Sequence, residues 1–269
     1  MDFRQRLRVA PGASVDLDAI ETREDFGLAD KKEGKERLAA LGERLSGLQA
    51  RLYAENRQAL LVVFQALDAG GKDGTIRRVF SGVNPQGCHV TSFKAPSAEE
   101  LDHEFLWRIH KATPAKGMIG VFNRSHYEDV LVVRVDELIP EAVWRARYDQ
   151  INAFEKLLAD NRTRIVKLFL HISREAQAER FRARLADPEK HWKFDPHDLA
   201  KRDQWSLYRA AFEEALGRCS TEHAPWYVIP ADRKWARDVA VAEIVVDTLE
   251  EMDPRFPDTH WEPDEFVIA

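Results

Sequence analysis

Residues 60–78 read LLVVFQALDAGGKDGTIRR, and the rest of the chain is read outward from them. The apolar run 60–64 has the look of a buried parallel strand. A glycine-bearing turn with one lysine follows, and then a helix begins. Strand, Gly-rich loop and helix, in that order, make a phosphate seat from backbone N–H groups and a helix N-terminus. Ala69, Gly70, Gly71, Asp73, Gly74 and Thr75 would supply that seat, and Lys72 would bring a cation to the phosphates. The match to G-x-x-x-x-G-K-[ST] is imperfect. Ala66 holds the first glycine position, and Asp73 stands where a metal-binding hydroxyl is usual. Asp68 lies inside the loop, where a carboxylate is tolerable beside phosphates if a bound Mg²⁺ sits between them. The bland alternative is a turn that only joins a strand to a helix.

Length and composition bound the function classes. A chain of 269 residues has room for one large α/β domain with a sizeable core. It is 44% hydrophobic and 32% charged, ordinary for a globular protein. A formal charge of −6 argues against a general nucleic-acid binder, though not against a local basic pocket for a polyanion. Cys88 and Cys219 are the only cysteines and no signal peptide precedes them, so a reduced, cytoplasmic setting is expected. No apolar run approaches the ~20 residues of a membrane span, which points to a soluble chain with no membrane partner.

Around the loop, residues 1–30 read as an extended arm. Leu38, Leu41, Leu45, Leu48 and Leu52 recur at three- and four-residue spacing, an amphipathic helix over 31–57. A helix over 73–81 ends at glycine, asparagine and proline. A short strand at 89–93 places Lys94 just beyond its carboxyl end, where parallel sheets bind ligands. A helix over 97–111 opens with the Ser97/Glu100 capping box. The strand 118–122 runs into Asn123, Arg124, Ser125, His126, Tyr127, Glu128 and Asp129. Arg124 suits bidentate phosphate binding. Asn123 offers a neutral carbonyl to a hydrated ion, Glu128 and Asp129 add negative charge, and His126 is read as packed or hydrogen-bonded. Helix 140–160 and strand 164–171 follow. Arg180 and Arg184 share one face of a helix that begins after Ser173, in a stretch where basic residues outnumber acidic ones. That stretch is either a solvated helix or a lid closing over phosphates. A helix over 197–217, a strand over 226–229 and a helix over 232–251 complete the pattern.

Taken together, LDAGGKDGTIRRVFSGVNPQGCHVTSFKAPSAEEL, FLWRIHKATPAKGMIGVFNRSHYEDVLVVRV, RFRARLADPEKHWKF and APWYVIPADRKW resemble the family-2 polyphosphate kinases, relatives in fold of thymidylate kinases. The resemblance implies a three-layer αβα fold of the P-loop kinase type, with a central parallel sheet and a helical lid at about 174–200, as one domain over 1–269. It implies phosphoryl transfer between inorganic polyphosphate and adenine nucleotides, with guanine as a second base, supported by Mg²⁺ or Mn²⁺. By motif position, Asp68 binds the metal and orients the acceptor phosphate, Lys72 and Arg124 neutralise phosphates, and Arg184 and Arg180 come from the lid. Glu128 and Asn123 depart from other branches, which carry asparagine and aspartate there; those departures look like the branch that accepts both AMP and ADP. The family also implies a dimer or tetramer. An ATP-dependent nucleoside monophosphate kinase and a non-catalytic nucleotide- or polyphosphate-binding regulator remain open as alternatives.

Overall fold

The computed structural model describes residues 2–262 and residue 265. In chain order its main elements are α1 (Phe3–Leu7), α2 (Lys31–Glu55), β1 (Ala59–Gln65), α3 (Lys72–Val79), β2 (Cys88–Ser92), α4 (Ala98–Leu101), α5 (Trp107–Ala112), β3 (Ile119–Asn123) and α6 (Glu128–Val135). There follow α7 (Glu141–Asp160), β4 (Thr163–His171), α8 (Arg174–Leu185), α9 (His197–Asp203), α10 (Trp205–Cys219), β5 (Trp226–Pro230) and α11 (Lys234–Met252). The strands form one parallel sheet in the order β2-β3-β1-β4-β5. β1 is central and buried along its whole length, which explains its unbroken apolar run. Its side chains alternate between two cores. Leu60, Val62 and Phe64 face α2, α3 and α11; Leu61 and Val63 face α5, α6, α7 and α10. The architecture is therefore a three-layer αβα sandwich. No helix among the described residues is long and apolar enough to cross a membrane.

Three readings from sequence need correction. The arm 1–30 is not merely extended: Phe3, Leu17, Phe26 and Leu28 are buried, Phe3 and Phe26 meet edge-on at 5.1 Å, and Arg8 bridges antiparallel to Tyr227. Apolar residues without periodicity still find the core when a chain wraps across several elements. The helix expected over 97–111 is two helices, α4 and α5. The Ser97/Glu100 capping box forms, but the Glu104 carboxylate accepts the Leu106 N–H at 2.7 Å and competes with the helical ladder. The break lets Leu106 and Ile109 bury while Leu101 stays exposed. The helix expected over 197–217 likewise breaks at Gln204, giving α9 and α10. α9 contains no buried residue and is tied to α8 instead, through Arg202 donating to Arg174 O and to Gln177 Oε1, each at 2.8 Å. The final tail beyond residue 262 lies largely outside the described residues.

Candidate active site

Sheet register brings the two glycine- and arginine-bearing turns together. Phe64 of β1 pairs with Asn123 of β3, and Arg124 N–H donates to Phe64 O at 3.0 Å. The loop after β1 and the turn after β3 thus leave the sheet side by side, at its carboxyl edge. Both turns adopt left-handed backbone, at Ala69 (φ +58), Gly71 (φ +99) and Arg124 (φ +61). Such geometry is sparsely populated for residues with a side chain and is retained where the surroundings over-determine it.

Gly71 is the N-cap of α3 and no side chain caps that helix. The amides of its first turn are consequently open to an anion, with the helix dipole behind them. Lys72 starts the helix, buried to 8% exposure, with Nζ donating to Ala66 O at 3.0 Å. Burial, reinforced by the Arg124 charge, lowers its pKa from 10.5 to about 8 despite Asp68 and Glu128. An anion over the loop would reverse that penalty. Thr75, in contrast, is fully buried and donates its hydroxyl to Gly71 O at 3.0 Å, so it braces the loop and does not line the cleft.

A cleft of about 800 Å³ opens over the loop. Asp68, Ala69, Gly70, Gly71, Lys72, Asp73 and Gly74 line one wall, with Lys94, Asn123 and Arg124 at the strand ends and Arg180 and Arg184 opposite. Arg124 Nη2 bonds Asp68 Oδ1 at 3.0 Å. Burial opposes the Arg124 charge, yet Glu128 and Asp68 outweigh it and hold its pKa up. Asn123 Nδ2 donates to Asp73 Oδ1 at 2.6 Å. Glu128 Oε1 accepts from the buried Gln65 at 3.1 Å. Asp129 turns away to Arg147 at 3.1 Å, and burial raises its pKa to about 6.

The two arginines of α8 behave differently. Arg184 lines the cleft, bonded to Lys193 O at 3.2 Å and 3.6 Å from Asp198. Arg180 grips the loop itself, donating to Ala69 O at 2.9 Å, Gly70 O at 3.0 Å and Ala231 O at 2.5 Å. Gln177 adds a bond to Asp68 O at 2.9 Å. In this conformation α8 braces the loop carbonyls, and Arg180 is not free for a ligand.

Sequence reading missed further cations on the cleft: Arg78 of α3, Lys190 and Lys193 after α8, and Arg237 of α11. Lys234 also lines the cleft, while its neighbour Arg233 pairs with Asp25 of the arm at 2.6 Å. The signal available was the i, i+3 spacing of Lys234 and Arg237, too common on helices to stand alone. His126 is packed and hydrogen-bonded, as expected: it is fully buried, 3.2 Å from Glu155.

A second cavity of about 380 Å³ adjoins the first and is mainly apolar, with Phe93, Leu131, Val132, Tyr208 and Phe212 in its wall. Asp68, Phe93, Lys94 and Arg124 belong to both cavities. An amphiphilic molecule with a ring at one end and phosphates at the other fits such a pair of spaces, with its charged end at Asp68 and Arg124.

Loops of this type at the carboxyl end of a central parallel strand, faced by converging cations, are the working parts of P-loop phosphotransferases. Residues 28–257 match the family model for polyphosphate kinase 2, and the chain belongs to that family. It is 48% identical over 265 residues to an AMP/ADP-polyphosphate phosphotransferase of Meiothermus ruber, covering 98% of this chain and 99% of that one. It is also 48% identical over 267 residues to an ADP-polyphosphate phosphotransferase of Rhodopseudomonas palustris, covering 95% and 92%. Among solved structures, polyphosphate kinase 2 from Arthrobacter aurescens TC1 superposes with a TM-score of 0.95 at 41% identity, over 98% of this chain and 95% of the other.

Proposed function

We propose that this protein transfers phosphoryl groups from inorganic polyphosphate to AMP and ADP, yielding ADP and ATP. The observation that carries the reading is the pair of cavities joined at Asp68 and Arg124. The apolar one suits a nucleoside, and the cation-lined one suits an extended chain of phosphates. The similarity to the Meiothermus ruber AMP/ADP-polyphosphate phosphotransferase supports it. Phosphoryl transfer asks a protein for positioning and charge stabilisation and needs no covalent intermediate. The open amides of α3 and the Lys72 ammonium seat the donor chain. Arg124, set by Asp68, stands between donor and acceptor phosphates, and Arg184 meets the chain from the α8 side, which serves as a lid.

No group of three or more His, Cys, Asp or Glu side chains able to hold a metal occurs among the described residues. Mg²⁺ does not require one, because it is ordinarily held by one or two carboxylates together with substrate phosphates. Asp68, inside the loop and on the cleft wall, fits that donor set, with Asp73 across the loop as a second carboxylate. Mg²⁺, with Mn²⁺ as a substitute, would neutralise phosphate charge there.

The test is incubation with Mg²⁺, long-chain polyphosphate and AMP, following nucleotides by chromatography. ADP and then ATP are expected; product formed from ATP plus AMP, and none from polyphosphate, would select a nucleoside monophosphate kinase instead. Phosphate-chain binding with no product would select a non-catalytic regulator.

Two further outcomes follow from the site. Glu128 lies where the nucleoside cavity meets Arg124, so Glu128→Asn should change the ratio of kcat/KM for AMP to that for ADP; an unaltered ratio removes Glu128 from acceptor selection. The second concerns pH. The phosphate-binding form of Lys72 is the ammonium, and in the ligand-free protein that form is lost as pH rises through about 8. KM for polyphosphate should therefore climb above pH 8, approaching about tenfold per unit. Lys72→Met should bind weakly at every pH and lose this dependence. For the fold the sign is opposite: the depressed pKa disfavours the folded state below about 8, and the penalty is relieved between about 8 and 10.5.

A further inference from the structure

Arg237 is, after Trp226, the largest side chain wholly inside the described protein. It stands on α11, far along the chain from the loop, and no sequence motif marks it. Its Nε and Nη2 donate to a single oxygen of the adjacent Asp238, at 3.0 and 2.8 Å. The other Asp238 oxygen takes Arg78 Nε. One carboxylate is thus divided between two guanidiniums, leaving a net positive charge behind the loop. Nη1 of Arg237 has no hydrogen-bond partner. A buried cationic donor left open is unfavourable unless an anion takes it.

The open nitrogen has a direction. It presses on the loop so closely that a Cβ on Gly71 would lie 2.3 Å from it. Gly71 therefore answers two demands, its φ of +99 and the guanidinium beside it. Arg180 Nη1 comes within 3.6 Å of the same point while it grips the loop carbonyls. Arg237 nevertheless belongs to the wall of the phosphate cleft, on the side away from the nucleoside cavity.

We propose that Arg237 is a phosphate-binding residue for the polyphosphate donor, held at the loop by the carboxylate it shares with Arg78. The proposal rests on the polyphosphate reading of the cleft. It separates donor from acceptor: the Arg78–Asp238–Arg237 cluster sets affinity for the phosphate chain and leaves the nucleotide untouched.

Steady-state kinetics of Arg237→Gln, varying polyphosphate at saturating AMP and then the reverse, should show KM for polyphosphate raised roughly ten- to a hundredfold, the range of a charge-assisted hydrogen bond. KM for AMP should stay within about twofold, and Arg237→Lys should recover part of the loss. Polyphosphate should raise the Tm of the wild-type protein and not that of Arg237→Gln, while AMP raises both. Equal losses for both substrates, or an unchanged KM for polyphosphate, would overturn the proposal and leave Arg237 a structural residue. Should Arg237→Gln not fold, crystals of the wild-type protein soaked with tripolyphosphate decide the matter. A phosphate oxygen at hydrogen-bond distance from Arg237 Nη1 supports the role; phosphate seated in the cleft away from that nitrogen overturns it. A wild-type protein that draws no phosphate from polyphosphate would bring down the functional reading, whereas an active one with an unaltered Arg237→Gln variant brings down this inference alone.

Discussion

Lys72→Ala and Asp68→Ala should each lower turnover by at least ~10²-fold, the effect of removing one preorganised electrostatic contact from a transition state. The two residues line the same cleft with opposite charges. Lys72 is the buried cation of the loop, held by Ala66 O. Asp68 fixes the Arg124 guanidinium, 3.0 Å away, between the two cavities. Neither change should unfold the protein. Burial already disfavours the Lys72 charge, and Asp68 is a partly exposed loop residue with a screened ion pair. Circular dichroism and a thermal melt establish that the fold is retained; single-turnover assays with polyphosphate and AMP then measure the chemistry. Near-normal turnover in either variant would show that the site has been assigned to the wrong residues.

The largest expected effect on stability lies beneath the Arg124 turn. Lys167 of β4 and Glu155 of α7 are fully buried, 2.5 Å apart. Lys167 Nζ also donates to Tyr127 OH at 2.8 Å and to Cys219 O at 2.6 Å, while Glu155 Oε1 receives Tyr127 OH at 2.9 Å and His126 at 3.2 Å. Burial lowers the His126 pKa and keeps the ring neutral, although Glu155 pulls the other way. Lys167→Met leaves the Glu155 carboxylate without its cation and should destabilise the protein by ~3–5 kcal/mol. Urea denaturation of the single variant and of Lys167→Met with Glu155→Gln tests this. The double variant should recover most of the loss, because a buried pair replaced as a unit leaves no orphaned charge. If the single variant is as stable as wild type, the network does not hold the turn.

His126 and Tyr127 sit between Arg124 and Glu128 in the chain, so this network sets where the Arg124 and Glu128 side chains emerge. Nothing in the sequence indicates it. Lys167 lies in the middle of the strand segment RIVKLFLH, where a lysine reads as an interruption, and its acidic partner is twelve residues earlier on a helix whose other buried residues are apolar or aromatic. The helix breaks at residues 102–106 and at Gln204 were equally hidden. Local propensity and periodicity continue through both, and the packing of Leu106, Ile109 and Tyr208 in the second core shows where the chain restarts.

What the sequence by itself determined was local. The unbroken apolar run of β1, the glycines after it and the lysine at the head of α3 specify a strand, a turn and a helix start. Backbone geometry then creates the anion seat wherever those three occur in succession. Arg124 was equally legible, since it follows a second apolar strand and parallel sheets gather such positions at one edge. Which of the remaining arginines line the cleft was decided only by the tertiary structure. A guanidinium on a long, flexible stem goes where carbonyls and carboxylates converge on it, and those come from distant parts of the chain. Hence Arg180, alike in sequence to Arg184 one turn away, is spent on the loop carbonyls. Arg237, unremarked in the sequence, is carried by α11 to within touching distance of Gly71.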